Sequence, residues 1–132
     1  MDAACRRTVR ELAMTEAKIK IKNLYKIFGD NPKSAMEHVR DGTSKQSLLD
    51  NHSHVLGLRD INLDIPEKKI QVVMGLSGSG KSTLIRHINR LIEPTEGQVI
   101  VDGEDVLAMS QDNLREFRRH KSSMVFQKFA LL

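Results

Sequence analysis

The chain contains several short stretches in which apolar and polar residues alternate or apolar residues run together. Strict alternation, as over residues 18–22 and 61–65, is typical of a half-buried β-strand, because successive side chains point to opposite faces. Together these stretches predict five strands, over residues 18–22, 61–65, 70–74, 98–101 and 122–126. Asp102-Gly103 follows the fourth strand and predicts a tight hairpin turn, since both residue types tolerate a positive φ angle.

Two segments show the spacing of an amphipathic helix. Apolar residues at positions 84, 85, 88, 91 and 92 form one stripe on a helix that we expect to run from Ser82 to about Ile92. Pro94 and Gly97 follow it, as these residues commonly do beyond a helix end. A second helix is expected over residues 111–120, with Ser110 as its N-cap.

Residues 75–83, Gly-Leu-Ser-Gly-Ser-Gly-Lys-Ser-Thr, match the phosphate-binding loop pattern G-x-x-x-x-G-K-[ST] between a predicted strand and a predicted helix. Glycines let such a loop curl so that backbone N–H groups point at phosphate oxygens, and the helix N-terminus adds unpaired N–H groups. The alternative, a glycine-rich turn without a ligand, does not explain the lysine and serine that follow. Alternating strands and helices around this loop predict an α/β nucleotide-binding fold.

The expected nucleotide site contains Gly75, Ser77, Gly78, Ser79, Gly80, Lys81, Ser82 and Thr83. Lys81 is expected to reach the β- and γ-phosphates of the nucleotide, and the Ser82 hydroxyl to ligate Mg²⁺.

Composition narrows the class of protein. The 132 residues correspond to one domain or to part of a larger one, and no apolar run is long enough to span a membrane. The net charge is +4, but the basic residues are interleaved with 17 acidic ones, which favours a solvated surface over a nucleic-acid interface. Cys5, the single cysteine, excludes an internal disulfide. The histidines show no metal-ligand spacing with Cys5 or with a carboxylate cluster. His52 and His54, two residues apart, could chelate a metal but are better interpreted as surface residues, and we expect His87 and His120 on solvated helix faces.

From residue 18 onward, several motifs in register resemble the ATP-binding cassette domain of ABC transporters. They are Phe28-Gly29, the phosphate loop, residues 93–97 (Glu-Pro-Thr-Glu-Gly), Asp102-Gly103 and residues 125–127 (Val-Phe-Gln). More narrowly, residues 21–29, 74–83, 89–95 and 126–131 resemble the ATPase subunits of bacterial glycine betaine/proline uptake systems. The resemblance implies a P-loop NTPase fold with an antiparallel β subdomain and the start of a RecA-like core.

The resemblance also implies roles for individual residues. Phe28 falls where the family has an aromatic residue, usually tyrosine, that stacks on adenine. Gln127 falls on the glutamine that helps to hold Mg²⁺ and to orient water, so Lys81 and Gln127 are the expected catalytic residues. Lys68 stands at a tight-turn position where the family usually has glycine, so we expect that turn to be strained or different.

The implied function is ATP hydrolysis that drives import of glycine betaine or proline-type osmolytes. The implied partners are a transmembrane permease, a second ATP-binding subunit and, indirectly, a periplasmic or extracellular substrate-binding protein, with no nucleic acid. The implied location is the cytoplasmic face of the bacterial inner membrane. Two alternatives remain open, a non-catalytic nucleotide-binding module and a soluble cassette ATPase that does not act in transport.

The expected domain organisation is a flexible lead over residues 1–16 and the N-terminal part of a cassette domain over residues 17–132. The Leu-Ser-Gly-Gly signature, the Asp-Glu strand and the switch histidine of the family do not occur, so we expect a truncated domain that is inactive alone. Residues 33–55 form an insert in which apolar residues are sparse, which predicts one or two short surface helices. Because such a segment has little core to join, we expect it to lie outside the nucleotide site.

Overall fold

The computed structural model describes residues 17–126. Four strands form one antiparallel sheet in the order β2-β1-β3-β4. They are β1 (Ala17–Phe28), β2 (Val55–Pro66), β3 (Glu96–Val101) and β4 (Glu104–Asp105). Four helices accompany the sheet: α1 (Ala35–Arg40), α2 (Lys45–His52), α3 (Lys81–Ile88) and α4 (Gln111–His120), with a 3-10 turn at Val106–Ala108.

Strand β1 is the centre of the sheet because it pairs with β2 on one side and with β3 on the other. Leu24 lies opposite Ile61 of β2, and Tyr25 lies opposite Glu96 of β3. Asn23, between the regular stretches of β1, adopts a φ of 44° where the register shifts in both pairings. Such a bulge increases the local twist of a strand and bends it.

The hairpin and the last helix confirm the expectations from the sequence. Asp102 and Gly103 both have positive φ angles, 52° and 81°, as a two-residue turn between antiparallel strands requires. Helix α4 begins after Ser110, whose hydroxyl accepts a hydrogen bond from the Asn113 backbone N–H at 3.3 Å. Lys68 has a φ of 57°, so the expected strained turn is present at a residue other than glycine.

The strands expected over residues 70–74 and 122–126 are absent. Residues 69–76 and 122–126 have no regular structure, and Ile70 and Met74 are 95% and 87% exposed. An apolar run becomes a strand only where neighbouring strands accept and donate its backbone hydrogen bonds. Among the described residues, none pairs with either segment.

The insert forms the two expected short helices, but the expectation that it has little core to join is wrong. Ala35, Met36, Val39 and Leu48 are buried and pack with Ile27 and Leu56 in a hydrophobic cluster of their own. A larger cluster lies between the sheet and helices α3 and α4; it contains Ile21, Leu24, Leu58, Leu84, Val99, Val101, Val106, Leu114 and Phe117. A few well-placed apolar residues therefore dock the insert on the end of the sheet where β1 finishes and β2 begins.

Candidate functional site

The phosphate loop leads directly into helix α3, as its sequence predicts. Gly78 and Gly80 have φ angles of 74° and 93°, a conformation that L side chains adopt only with strain. Gly80 is the N-cap of α3 and has no side chain to bond the first turn. The first hydrogen bond of the helix runs from the Leu84 N–H to the Gly80 carbonyl at 2.8 Å. The N–H groups of residues 81–83 precede that bond and are available to an anion.

Lys81 is folded back into the loop. Its ammonium group donates to the carbonyl oxygens of Gly75 and Leu76, both at 2.7 Å, and to the Ser79 hydroxyl at 3.3 Å. These contacts hold the charge beside the curled backbone, where a phosphate group would offer a stronger, charged acceptor.

The loop forms one wall of a cavity of about 530 Å³. Its lining consists of Phe28, Lys45, Val55, Leu56, Gly57 and residues 77–83. The two charged side chains in this lining, Lys45 and Lys81, are both positive. A cavity with apolar groups at one end and cations with backbone donors at the other suits a ligand with a flat apolar part and an anionic tail.

Phe28 stands at the apolar end of the cavity. It is the last residue of β1 and is 39% exposed, and the Lys26 ammonium lies 5.0 Å from its ring centroid. Gly57 allows this position, because a Cβ on Gly57 would come within 2.7 Å of the Phe28 ring. The aromatic surface is thus presented at the cavity wall, where a planar base could stack on it.

Most of the expected site residues meet around this one cavity. Phe28 and residues 77–83 line it, and Gly75 contributes the carbonyl that accepts from Lys81. Gln127 lies outside the described residues. Sequence reasoning missed Gly57 and Lys45. It expected the whole insert to lie outside the site, but Lys45 of the insert lines the cavity. The i, i+3 spacing of Lys45 and Leu48 puts both on one helix face, but where that face docks depends on tertiary packing.

The residues fit a nucleoside triphosphate. Glycines keep the concave loop free of side chains, and a Cβ on Gly75 or Gly80 would come within 2.6 Å of an existing atom. Ser82 is exposed at the start of α3 and offers one hydroxyl for Mg²⁺, which usually takes few protein ligands and shares phosphate oxygens. Within residues 17–126, no three His, Cys, Asp or Glu side chains come together as a protein-only metal site would need.

Helix α3 is fixed to the body of the protein by Leu84 and His87. His87 is fully buried, so its expected place on a solvated face is wrong. The reason is its spacing: His87 follows Leu84 by three residues and therefore shares its buried face. His87 Nδ1 lies 2.7 Å from the Thr83 carbonyl oxygen, which can only accept, so Nδ1 carries the hydrogen. Nε2 has no hydrogen-bond partner among the described residues.

Two histidines of the insert lie close together. The rings of His38 and His52 stack with their centroids 4.1 Å apart, which links helix α1 to helix α2. This stacking gives His52 a role in packing within the insert.

The fold and the loop define a nucleotide-binding protein of the P-loop class. A family model for ABC transporters matches residues 58–132. The chain belongs to this family. No helix in the described part of the chain has both the length and the apolar character that a membrane crossing needs.

Relatives of known function are similar over most of the chain. The glycine betaine/proline betaine transport system ATP-binding protein ProV of Escherichia coli is 54% identical over 115 residues, which cover 87% of this chain and 29% of that protein. The glycine betaine transport ATP-binding protein OpuAA of Bacillus subtilis is 48% identical over 114 residues, which cover 86% of this chain and 27% of that protein. The chain thus spans under a third of the length of these relatives.

Solved structures of an ABC transporter cassette share the fold of this chain. A dimeric bacterial ABC transporter cassette matches with a TM-score of 0.65 and 32% identity, covering 86% of this chain and 40% of the other. A dimeric post-hydrolysis state of the same cassette, bound to ADP and Pi, matches with a TM-score of 0.63 over the same shares of the two chains. The expected fold class, an ABC-type P-loop NTPase with an antiparallel β subdomain, is therefore confirmed.

The burial of His87 predicts a pH dependence of stability. Burial lowers the pKa of His87 below its ordinary value near 6.5, and the nearby positive charge of Lys26 acts in the same direction. Below pH 6.5 the unfolded chain therefore binds a proton that the folded protein does not bind, and the free energy of unfolding falls as the pH decreases. The slope approaches about 1.4 kcal/mol per pH unit for one such group.

Urea denaturation at pH 7.5 and 5.5 measures this effect. His87→Gln should reduce the difference in the free energy of unfolding between the two pH values, because the buried imidazole is then absent. An undiminished difference in His87→Gln would show that the histidine is not buried in its neutral form.

Proposed function

We propose that this protein acts as an ATP-binding subunit of an importer for glycine betaine, proline or a related osmolyte, and that ATP hydrolysis drives the import. The observation that carries the proposal is the single cavity in which Phe28, Lys81 and the N-terminus of α3 come together. The names of the E. coli and B. subtilis relatives support the transport role and the substrate class.

The proposed binding mode follows from the groups that line the cavity, the Phe28 ring on one side and the phosphate loop on the other. The adenine base stacks on Phe28, and the triphosphate lies against Gly78, Gly80 and the first turn of α3. Lys81 exchanges its two carbonyl acceptors for phosphate oxygens and neutralises part of their charge. In this mode the backbone N–H groups of the residues from Gly75 to Thr83 cradle the phosphates, and the Lys81 ammonium group adds a side-chain contact.

The proposed reaction is attack of water on the γ-phosphate, giving ADP and phosphate. Lys81 and the loop N–H groups stabilise the charge that spreads over the transferred group. Ser82 and Gln127 are the proposed protein ligands of Mg²⁺, which when bound supplies positive charge to the β- and γ-phosphates. Gln127 is also proposed to orient the attacking water.

The proposed assembly is built on one domain of this chain. In it, residues 17–132 form the N-terminal part of an ATP-binding domain, with residues 33–55 as a helical insert. A transmembrane permease and a second ATP-binding subunit are the proposed direct partners, and a substrate-binding protein acts indirectly. Such a complex places this subunit at the cytoplasmic face of a bacterial inner membrane. The solved cassette, dimeric in both of its structures, supports the pairing of two subunits.

Removal of the Lys81 ammonium tests the phosphate end of the site. Lys81→Ala should weaken binding of inorganic tripolyphosphate by about 1.5–3 kcal/mol, the range for a hydrogen bond to a charged group. Titration calorimetry measures the change. Lys69→Ala, which removes the same charge from an exposed position, is the control and should bind as the wild type does. Wild-type affinity in Lys81→Ala would contradict the assignment of the loop.

Removal of the Phe28 ring tests the base end. Phe28→Ala should lower the affinity for ATP by about 1–3 kcal/mol, the scale of a base–aromatic stack, and leave the affinity for tripolyphosphate unchanged. Phe28→Tyr keeps the aromatic face and is expected to bind both ligands as the wild type does. Equal losses for ATP and tripolyphosphate in Phe28→Ala would mean that the substitution disturbs the fold and that Phe28 is not a base platform.

A further inference from the structure

Lys45 is a positive charge that the insert brings to the nucleotide cavity. It is the first residue of α2 and lines the cavity together with Gly78 and Lys81. Its ammonium nitrogen lies 3.4 Å from the Gly78 carbonyl oxygen, at the outer limit of a hydrogen bond. Lys45 forms no ion pair with any carboxylate of the described residues. It therefore has a weak neutral acceptor and no counter-charge.

The packing of the insert fixes the position of this lysine. Leu48, one turn after Lys45 on the same face of α2, is fully buried in the insert's hydrophobic cluster. Ser44 caps the helix by accepting from the Ser47 N–H at 3.1 Å. Just before it, the Thr43 carbonyl accepts from the Arg59 guanidinium of β2 at 2.6 Å. The burial of Leu48 and the Arg59 contact thus hold the start of α2 against β2, while the Ser44 cap fixes the first turn that carries Lys45.

The charges around the cavity favour an anion at this place. No acidic side chain belongs to the described lining, and Lys45 and Lys81 approach the loop from different elements. The side chain of Lys81 is already held by three acceptors inside the loop. Of the two cations, Lys45 has the weaker existing contact. A polyphosphate that binds Lys45 therefore replaces one weak hydrogen bond with a stronger, charge-assisted one.

We propose that Lys45 is a polyphosphate-binding residue of this site, supplied by the insert in addition to the phosphate loop. This inference rests on the proposed nucleotide function of the cavity. It assigns the insert a direct part in nucleotide affinity: a triphosphate links α2 to the loop through Lys45. A movement of the insert would then change nucleotide affinity, and nucleotide release would loosen the insert.

Replacement of Lys45 under two salt conditions tests the proposal. At about 50 mM ionic strength, Lys45→Gln should weaken binding of both ATP and inorganic tripolyphosphate by about three- to tenfold, between the effects of an exposed ion pair and of a charge-assisted hydrogen bond. At about 500 mM the loss should shrink to less than twofold, because salt screens an exposed charge. Lys45→Arg should restore most of the affinity at low salt.

The matched control is Lys33→Gln, which removes an exposed lysine from the same insert outside the cavity. It is expected to bind as the wild type does at both salt concentrations. A loss in Lys45→Gln that is equal at both salt concentrations and is not rescued by arginine would overturn the proposal, since it would mean that Lys45 only supports the loop. Wild-type affinity in Lys45→Gln would also overturn it.

Failure of the nucleotide function itself has a different signature. In that case the wild-type protein would bind neither ATP nor tripolyphosphate, and Lys81→Ala would change nothing. If the wild type binds both ligands, Lys81→Ala binds them more weakly and Lys45→Gln binds them as the wild type does, only the role of Lys45 is rejected.

Discussion

The site depends on the close approach of two backbones, at Gly57 in β2 and at Gly80 at the start of α3. A Cβ on Gly80 would come within 2.6 Å of the Gly57 carbonyl oxygen and 3.0 Å of the Leu58 side chain. A Cβ on Gly57 would come within 2.7 Å of the Phe28 ring. Because neither residue has a side chain, the phosphate loop and the aromatic ring can both lie against the same short stretch of β2. The phosphate loop and Phe28 therefore line the same cavity.

The rest of the fold fixes that stretch of β2. Pairing with β1 places Phe28 opposite Val55, so the end of the central strand and the start of β2 are in register beside the cavity. Leu84 packs in the main cluster with Leu58, and this contact orients α3 so that its N-terminus faces the cavity. Leu56 belongs instead to the cluster of the insert. The same few residues of β2 therefore position the loop, the aromatic ring and Lys45.

Local patterns predicted the elements whose structure is determined locally. Ser110 as an N-cap and Asp102-Gly103 as a hairpin turn needed only their own neighbours, and both were correct. The phosphate loop was equally recognisable, because the glycines and the helix start are adjacent in sequence. The strand expected over residues 70–74 was wrong, since a strand needs partners that no local pattern specifies. The burial of His87 and the docking of the insert were also missed. Both depend on which helix face meets the sheet, a property of tertiary packing.

The approach of Gly80 to β2 is tested most directly by adding one methyl group there. Gly80→Ala should lower the affinity for tripolyphosphate more than tenfold, because the Cβ meets the Gly57 backbone and the loop must move. The matched control is Gly103→Ala, which has a similar positive φ of 81° but open space around the added Cβ, so it carries the backbone strain without the collision. The account predicts loss of binding in the first variant and wild-type binding in the second, measured by calorimetry. Equal affinity in the two variants would contradict it.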